Sequence, residues 1–155
     1  MSALEISLAA LRLDRTAPPL VAGEVWFTLD GVDFPAAHWS DSPLSVLGSL
    51  AEAVRHAAAG RTADVYFFDG PYYLRLAPGP GGTVRAAGVC DREGWVSGSG
   101  EGTVQAECTT TAAELTEQYG QALLAVERWA HDAGAPRLLD GFPHPGDRPG
   151  DRPGS

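Results

Sequence analysis

The 155-residue chain contains no lysine and no asparagine, so all 11 of its basic residues are arginines. Without lysine it cannot form a P-loop, which places that side chain on the nucleotide phosphates. No serine lies in a nucleophile-elbow motif. The glycine-rich stretches at 79–82 and 98–102 do not join a strand to a helix, so we interpret both as turns. These absences exclude the common nucleotide-binding and serine-hydrolase signatures.

Cysteine is also scarce, because Cys90 and Cys108 are the only two in the chain. Neither has a cysteine or histidine at metal-ligand spacing, so we expect no metal site and no cofactor. Both fall on the predicted inner face of their strands, which favours buried, unreactive thiols. A strand register that placed them opposite each other would permit a disulfide, so the sequence leaves their oxidation state open.

Long apolar runs are missing as well. No stretch approaches the roughly 18 apolar residues of a membrane span, and Glu5 and Arg12 interrupt the apolar N-terminal segment. We therefore expect no membrane span and no signal peptide, and a cytoplasmic protein. With 44% hydrophobic and 20% charged residues, the composition is typical of a folded globular domain.

The charge is strongly unbalanced, with 20 acidic residues and a net charge of −9. Residues 1–135 contain 17 acids and 8 arginines and carry all of the excess, whereas residues 136–155 are neutral overall. Such a field repels nucleic-acid phosphates and anionic lipids, and it attracts basic proteins. We therefore expect a protein partner, and neither nucleic acid nor a membrane.

Hydrophobic alternation predicts strands at residues 3–13 and 24–30, and a slip of the alternation near Ala9 and Ala10 predicts a bulge. The turn signal Asp69-Gly70 predicts a hairpin of residues 64–68 with 72–77. Its two-residue loop places Tyr66 opposite Tyr73 and Asp64 opposite Arg75. Two further strands are predicted at residues 83–91 and 103–108, with Val104 on the inner face.

Two helices are predicted by their starts and ends. The first begins at Ser42-Pro43, continues for about 17 residues and ends at Gly60. The second begins with a capping box formed by Thr111 and Glu114 and ends before Gly134.

The order ββαββββα predicts an α+β fold, with an antiparallel sheet of about six strands and both helices packed on one face. Residues 1–135 form a single α+β domain in this interpretation. Residues 136–155 contain two Pro-Gly-Asp-Arg repeats and are predicted to be a disordered Pro/Gly-rich tail.

The open face of the predicted sheet is the first candidate binding site, since tryptophan, tyrosine and arginine are enriched at interfaces. The alternatives are a homodimer through that face, or cross-strand pairs that only stabilise an exposed sheet. The candidate partner-binding residues are Trp26, Tyr66, Tyr73, Glu24, Arg75 and Glu107.

A second candidate site lies in the loop before the first helix, where Asp33, His38, Trp39 and Asp41 fall within nine residues. These side chains could bind a ligand or act as acid and base. The alternative is a loop that packs its aromatic residues and caps the helix. The alternative function is a small-molecule-binding or accessory domain, in which the two helices and the sheet enclose a small apolar pocket near Trp39 and Trp129.

Two motifs carry a resemblance to a group of proteins. They are Trp39-Ser40-Asp41-Ser42-Pro43 at the predicted helix start and Phe67-Phe68-Asp69-Gly70-Pro71-Tyr72 in the hairpin. With the closing amphipathic helix, they resemble small bacterial proteins grouped with the immunity proteins of polymorphic toxin systems. The resemblance implies a non-enzymatic protein that binds and blocks a cognate toxin, which the acidic charge predicts to be a basic toxin.

Overall fold

The computed structural model describes residues 2–16, 19–91 and 102–145. Within them the fold has two helices and eight strands in two antiparallel sheets, so the predicted α+β class is confirmed. The elements are β1 (Leu4–Asp14), β2 (Leu20–Leu29), β3 (Val32–Phe34), β4 (Ser40–Asp41), α1 (Pro43–Ala58), β5 (Ala63–Tyr66), β6 (Tyr72–Pro78), β7 (Thr83–Cys90), β8 (Thr103–Thr111) and α2 (Ala112–Asp132).

The first sheet is built around β2, which pairs with β1 on one side and with β3 and β4 on the other. The register of β1 shifts between Ala9 and Arg12, and Ala10 has a positive φ of 51°. The predicted bulge is therefore confirmed. The edge of β1 is partly covered by α2, because Gln118 accepts a hydrogen bond of 3.4 Å from the backbone N–H of Ile6.

The second sheet has the order β5-β6-β7-β8. The predicted hairpin register is confirmed, with Tyr66 opposite Tyr73 and Asp64 opposite Arg75. A bulge between Gly88 and Val89 shifts the pairing of β7 with β8, so that Val104 lies opposite Val89. This bulge turns Val104 to the outer face, which corrects its predicted inward direction.

The strands form two sheets where the sequence predicted one, and the reason lies at the edges of β2. The short strands β3 and β4 occupy the side of β2 on which the later strands would have had to pair. The hairpin that follows α1 therefore starts a second sheet. Consequently the helices do not cover one face of one sheet; α1 packs against α2 and against strands of both sheets.

The two sheets and the helices share one hydrophobic core. Rings from both sheets meet edge to face, with centroids 5.6 Å apart for Phe27 and Phe67 and 5.9 Å apart for Phe34 and Phe67. A Cβ atom at Gly88 would lie 2.6 Å from the Phe34 ring, so only glycine permits this approach of the sheets. Because the inner faces meet at this core, the outer faces belong to two separate surfaces.

The chain continues to pack after α2, where the sequence predicted a tail from residue 136. Leu139 is 4% exposed in the core, and the Tyr119 hydroxyl donates a hydrogen bond of 2.7 Å to the carbonyl oxygen of Pro143. The Phe142 ring lies 3.6 Å from the position of a Cβ on Gly48 in α1. The packed region thus extends ten residues beyond the predicted boundary, to residue 145; residues 146–155 lie outside the described residues.

Candidate functional site

The six predicted partner-binding residues lie on two sheets. Glu24 and Trp26 are in the first sheet, whereas Tyr66, Tyr73, Arg75 and Glu107 are in the second. Since the inner faces of both sheets contribute to the shared core, the outer residues of each sheet form a face of their own. The single predicted face is therefore replaced by two separate faces.

The outer face of the first sheet, which we call the tryptophan face, is centred on Trp26. In β2, Val25, Phe27 and Leu29 are buried, and the residues between them point outward. Cross-strand pairing then assigns the neighbours of Trp26 to the same face. The tryptophan face comprises Glu5, Ser7, Glu24, Trp26, Thr28 and Asp33, together with His38 from the adjacent loop.

His38 joins this face through two contacts. Its ring centroid lies 4.7 Å from that of Trp26, and its Nδ1 atom lies 3.0 Å from Oε1 of Glu24. The side chain of His38 remains 67% exposed. The sequence did not indicate that His38 and Trp26 are neighbours, because their proximity depends on the pairing of the two-residue strand β4 with β2.

The tryptophan face is acidic. Glu5, Glu24 and Asp33 contribute three carboxylates around Trp26, and Arg12 and Asp14, beyond the bulge, add one charge of each sign. Asp33 accepts a hydrogen bond of 2.7 Å from the Thr28 hydroxyl on the neighbouring strand. A cationic side chain that approached Trp26 would therefore meet carboxylates on several sides and an aromatic ring at the centre.

The outer face of the second sheet, which we call the tyrosine face, consists of two main rows across its four strands. The first row contains Tyr66, Tyr73, Val89 and Val104. The second row contains Asp64, Arg75, Ala87 and Glu107, and Arg85 lies beside it. Tyr66 is 60% exposed and Val104 is 48% exposed.

Charges on the tyrosine face are paired. Nε and Nη2 of Arg75 donate hydrogen bonds of 2.9 and 3.1 Å to the two carboxylate oxygens of Asp64. Arg85 forms a second ion pair with Glu107 across β7 and β8. Burial and then the Asp64 carboxylate raise the pKa of Tyr66 above its usual value, and the hydrogen bond with Asp64 raises the pKa of Arg75. The four charges leave this face neutral.

A shallow groove of about 320 Å³ runs along the tyrosine face. Small residues, including Ala77, Ala87 and Val89, line it together with Tyr73 and the two arginines. The Arg75 guanidinium lies 5.3 Å from the centre of the Tyr73 ring, and the Tyr66 and Tyr73 rings are 5.9 Å apart. This face therefore presents an exposed aromatic residue beside a groove.

The predicted loop site does not form one cluster. Asp41 is 8% exposed and accepts four hydrogen bonds, from the Trp39 indole and from the backbone N–H groups of Ser42, Phe68 and Asp69. It fastens the hairpin loop to the start of α1, and Trp39 packs against Tyr72 with their ring centroids 5.2 Å apart. His38 and Asp33 instead belong to the tryptophan face.

The described residues provide no group of three or more histidine, cysteine or carboxylate side chains arranged to hold a metal ion. Cys90 lies opposite Thr103 and Cys108 lies opposite Ala86, so the register separates the two thiols. Burial raises the pKa of Cys108 to about 11. Over the described ranges, neither helix is long and apolar enough to cross a membrane.

Trp39 and Trp129 are partly buried against the core, and neither lines the groove on the tyrosine face or the shallow cavity beside Leu124 on α2. Sequence reasoning missed Phe68, which is 79% exposed at the tip of the hairpin. Its alternation with buried Phe67 was the signal that could have identified it.

The geometry defines an α+β protein with two antiparallel sheets, one acidic outer face and one neutral outer face. No protein-family model matches the chain, and neither the curated proteins nor the solved structures that were searched contain a match. The functional argument therefore rests on these two faces.

Proposed function

We propose that this protein is a non-enzymatic protein-binding module, an immunity- or antitoxin-like inhibitor that binds a basic toxin in the cytoplasm. The tryptophan face is the binding surface in this proposal. The inhibitor acts by occlusion, in that the bound chain covers the working surface of its partner. The acidic surroundings of Trp26 are the observation that carries the proposal.

The charge of the tryptophan face supports a basic partner. Glu5, Glu24 and Asp33 lie on the same outer face as Trp26, and the whole chain carries a net charge of −9. Such a field accelerates the approach of a cationic protein and disfavours anionic competitors. The motif resemblance described above supports the inhibitor class.

The contacts of Trp26 support a role as an anchor residue. Tryptophan is enriched among residues that dominate binding energy, especially at the centre of an interface. His38 packs against the Trp26 ring and is hydrogen-bonded to Glu24, so the three side chains are positioned in the free protein. Less conformational entropy is then lost on binding.

The test is a titration of the purified chain with a basic toxin domain encoded next to its gene. We expect Trp26→Ala to weaken the affinity by about 30-fold or more, the loss typical of an anchor residue. Glu24→Gln should weaken it less, because one charge is removed while the ring stays in place.

The matched control is the double variant Tyr66→Ala, Tyr73→Ala, which removes two aromatic rings from the other face. Its affinity for the toxin domain should equal that of the wild type. If the double variant lost binding while Trp26→Ala retained it, the tryptophan face would be the wrong surface. A cooperative thermal unfolding transition establishes that each variant is folded.

A further inference from the structure

We infer that the tyrosine face binds a second copy of this chain, forming a two-fold symmetric homodimer. This inference is independent of the proposed function, which uses the outer face of the other sheet. It rests on the charge, the shape and the order of the tyrosine face.

Charge distinguishes this face from the tryptophan face. Two copies that each carry −9 repel one another, so a dimer must form through a surface that adds little repulsion. The tyrosine face meets this condition because Asp64 is paired with Arg75 and Glu107 with Arg85. The tryptophan face does not, because its carboxylates outnumber its arginine.

The tyrosine face carries both an exposed aromatic side chain and a shallow groove. Tyr66 lies on an edge strand of the sheet and is 60% exposed, and the groove lies over Ala77, Ala87 and Val89 on β6 and β7. A two-fold axis through the face places Tyr66 of each copy against the groove of the other. One surface thus supplies both an exposed aromatic side chain and a groove that can face it.

The side chains of this face are ordered without a partner. Arg75 is held by Asp64 and lies over the Tyr73 ring, and the Tyr66 hydroxyl donates a hydrogen bond of 3.3 Å to Asp64. Long side chains that are already fixed lose less rotamer freedom when an interface forms.

The dimensions of the sheet indicate the strength of the dimer. The strands β5, β6, β7 and β8 have 4, 7, 8 and 9 residues. With a spacing of about 4.8 Å between strands and a rise of about 3.3 Å per residue, they give a face of roughly 450 Å² in projection on each copy. This area corresponds to the low end of specific interfaces. We therefore expect a reversible dimer rather than an obligate one.

The experiment is sedimentation equilibrium of the full chain over a range of concentrations, with Val104→Glu and a matched control. Val104 lies on the tyrosine face and is 48% exposed, and Val32 in β3 is 50% exposed. We expect wild type and Val32→Glu to dimerise equally, and Val104→Glu to dimerise at least tenfold more weakly. A monomeric wild type up to about 100 μM, or equal dimerisation of the two variants, would overturn the inference.

A charge-reversal pair keeps the inference testable if Val104→Glu does not fold. Arg85 and Glu107 are both more than half exposed, so their substitution leaves the core unchanged. Arg85→Glu should weaken the dimer because it makes the face acidic, and adding Glu107→Arg should restore it. The charge argument is contradicted if Arg85→Glu leaves the dimer dissociation constant unchanged, or if adding Glu107→Arg does not restore the wild-type value.

Salt separates this inference from the proposed function. Screening reduces the repulsion between two negative copies, so added salt should strengthen the dimer, whereas it should slow association with a basic toxin. If the wild type is monomeric and still binds the toxin, the dimer inference is wrong and the proposed function stands. If the wild type dimerises but Trp26→Ala binds the toxin with unchanged affinity, the tryptophan face is not the binding surface and the dimer inference stands.

Discussion

At the scale of single residues, Asp41 is the clearest example of a polar group with a structural task. Its buried carboxylate receives four hydrogen bonds and connects the hairpin loop to the start of α1. The sequence placed Asp41 in a candidate ligand site because an acidic residue beside a histidine and a tryptophan suggests chemistry. Only the fold shows that its oxygens are already occupied.

Replacing Asp41 with alanine should lower the free energy of unfolding by about 2–4 kcal/mol, because buried N–H groups lose a charged acceptor. Chemical denaturation measures this change. Asp33→Ala is the control: Asp33 makes one exposed hydrogen bond, with Thr28, and its loss should cost less than about 1 kcal/mol. Equal losses for the two variants would contradict the role assigned to Asp41.

The two cysteines should differ in reactivity. Cys108 is buried and its pKa is raised to about 11, so at pH 8 it remains a protonated thiol in the folded protein. Cys90 is only partly buried. A thiol reagent should modify Cys90 first, and Cys108 only when denaturant is added. Peptide mapping by mass spectrometry identifies the modified residue. Fast labelling of Cys108 in the native protein would contradict the prediction, because it would show that this thiol is accessible to the reagent.

At the scale of secondary-structure elements, the sequence was most informative where local rules act alone. The turn signal Asp69-Gly70 predicted the pairing of β5 with β6 that the structure shows, and the slipped alternation near Ala10 indicated the bulge in β1. The division into two sheets could not be predicted, because β3 and β4 contain three and two residues and show no periodic pattern. The same difficulty split the candidate site, since sheet membership decides which outer residues are neighbours.

The packing of residues 136–145, after α2, could not be predicted from composition. Proline and glycine predict an irregular chain, but irregular chain also packs when it carries large apolar side chains such as Leu139 and Phe142.

The edge of β5 is partly covered by a side chain of α1. Ser49 of α1 accepts a hydrogen bond of 3.1 Å from the backbone N–H of Tyr66. This contact covers part of the β5 edge.

Truncation tests the role of this segment. Deleting residues 136–155 should lower stability more than deleting residues 146–155, because only the longer deletion removes Leu139 from the core. Leu139→Ala alone should cost about 2–4 kcal/mol in thermal or chemical unfolding, the usual loss for a buried leucine. Leu124→Ala, at a site 48% exposed, should cost less than about 1 kcal/mol. Equal stability of the two truncated chains would show that residues 136–145 do not support the fold.

At the scale of the whole molecule, the excess of negative charge is distributed unevenly over the two outer faces. The tyrosine face balances its charges in pairs, whereas the tryptophan face does not. A net charge computed from sequence gives the sign of the field but not the surface that carries it. That assignment required the strand pairing of both sheets.

The tryptophan face should therefore govern the kinetics of association with a basic toxin. The association rate constant should fall as salt is raised from about 50 to 500 mM, because screening shortens the reach of the field. Glu5→Gln with Glu24→Gln should flatten this dependence, and stopped-flow measurement of the change in total tryptophan fluorescence on binding provides the signal. If the association rate constants of the wild type and the double variant depend equally on salt, another surface provides the electrostatic attraction of the toxin.

The separation of the two faces has a consequence for stoichiometry. Each sheet directs its inner side to the shared core, so occupation of one outer face leaves the other uncovered. A dimer joined through its tyrosine faces would carry two exposed tryptophan faces and bind two toxin molecules at once. Such an assembly has a valency of two, and a toxin that is itself dimeric would bind it with an avidity far above the affinity of one site.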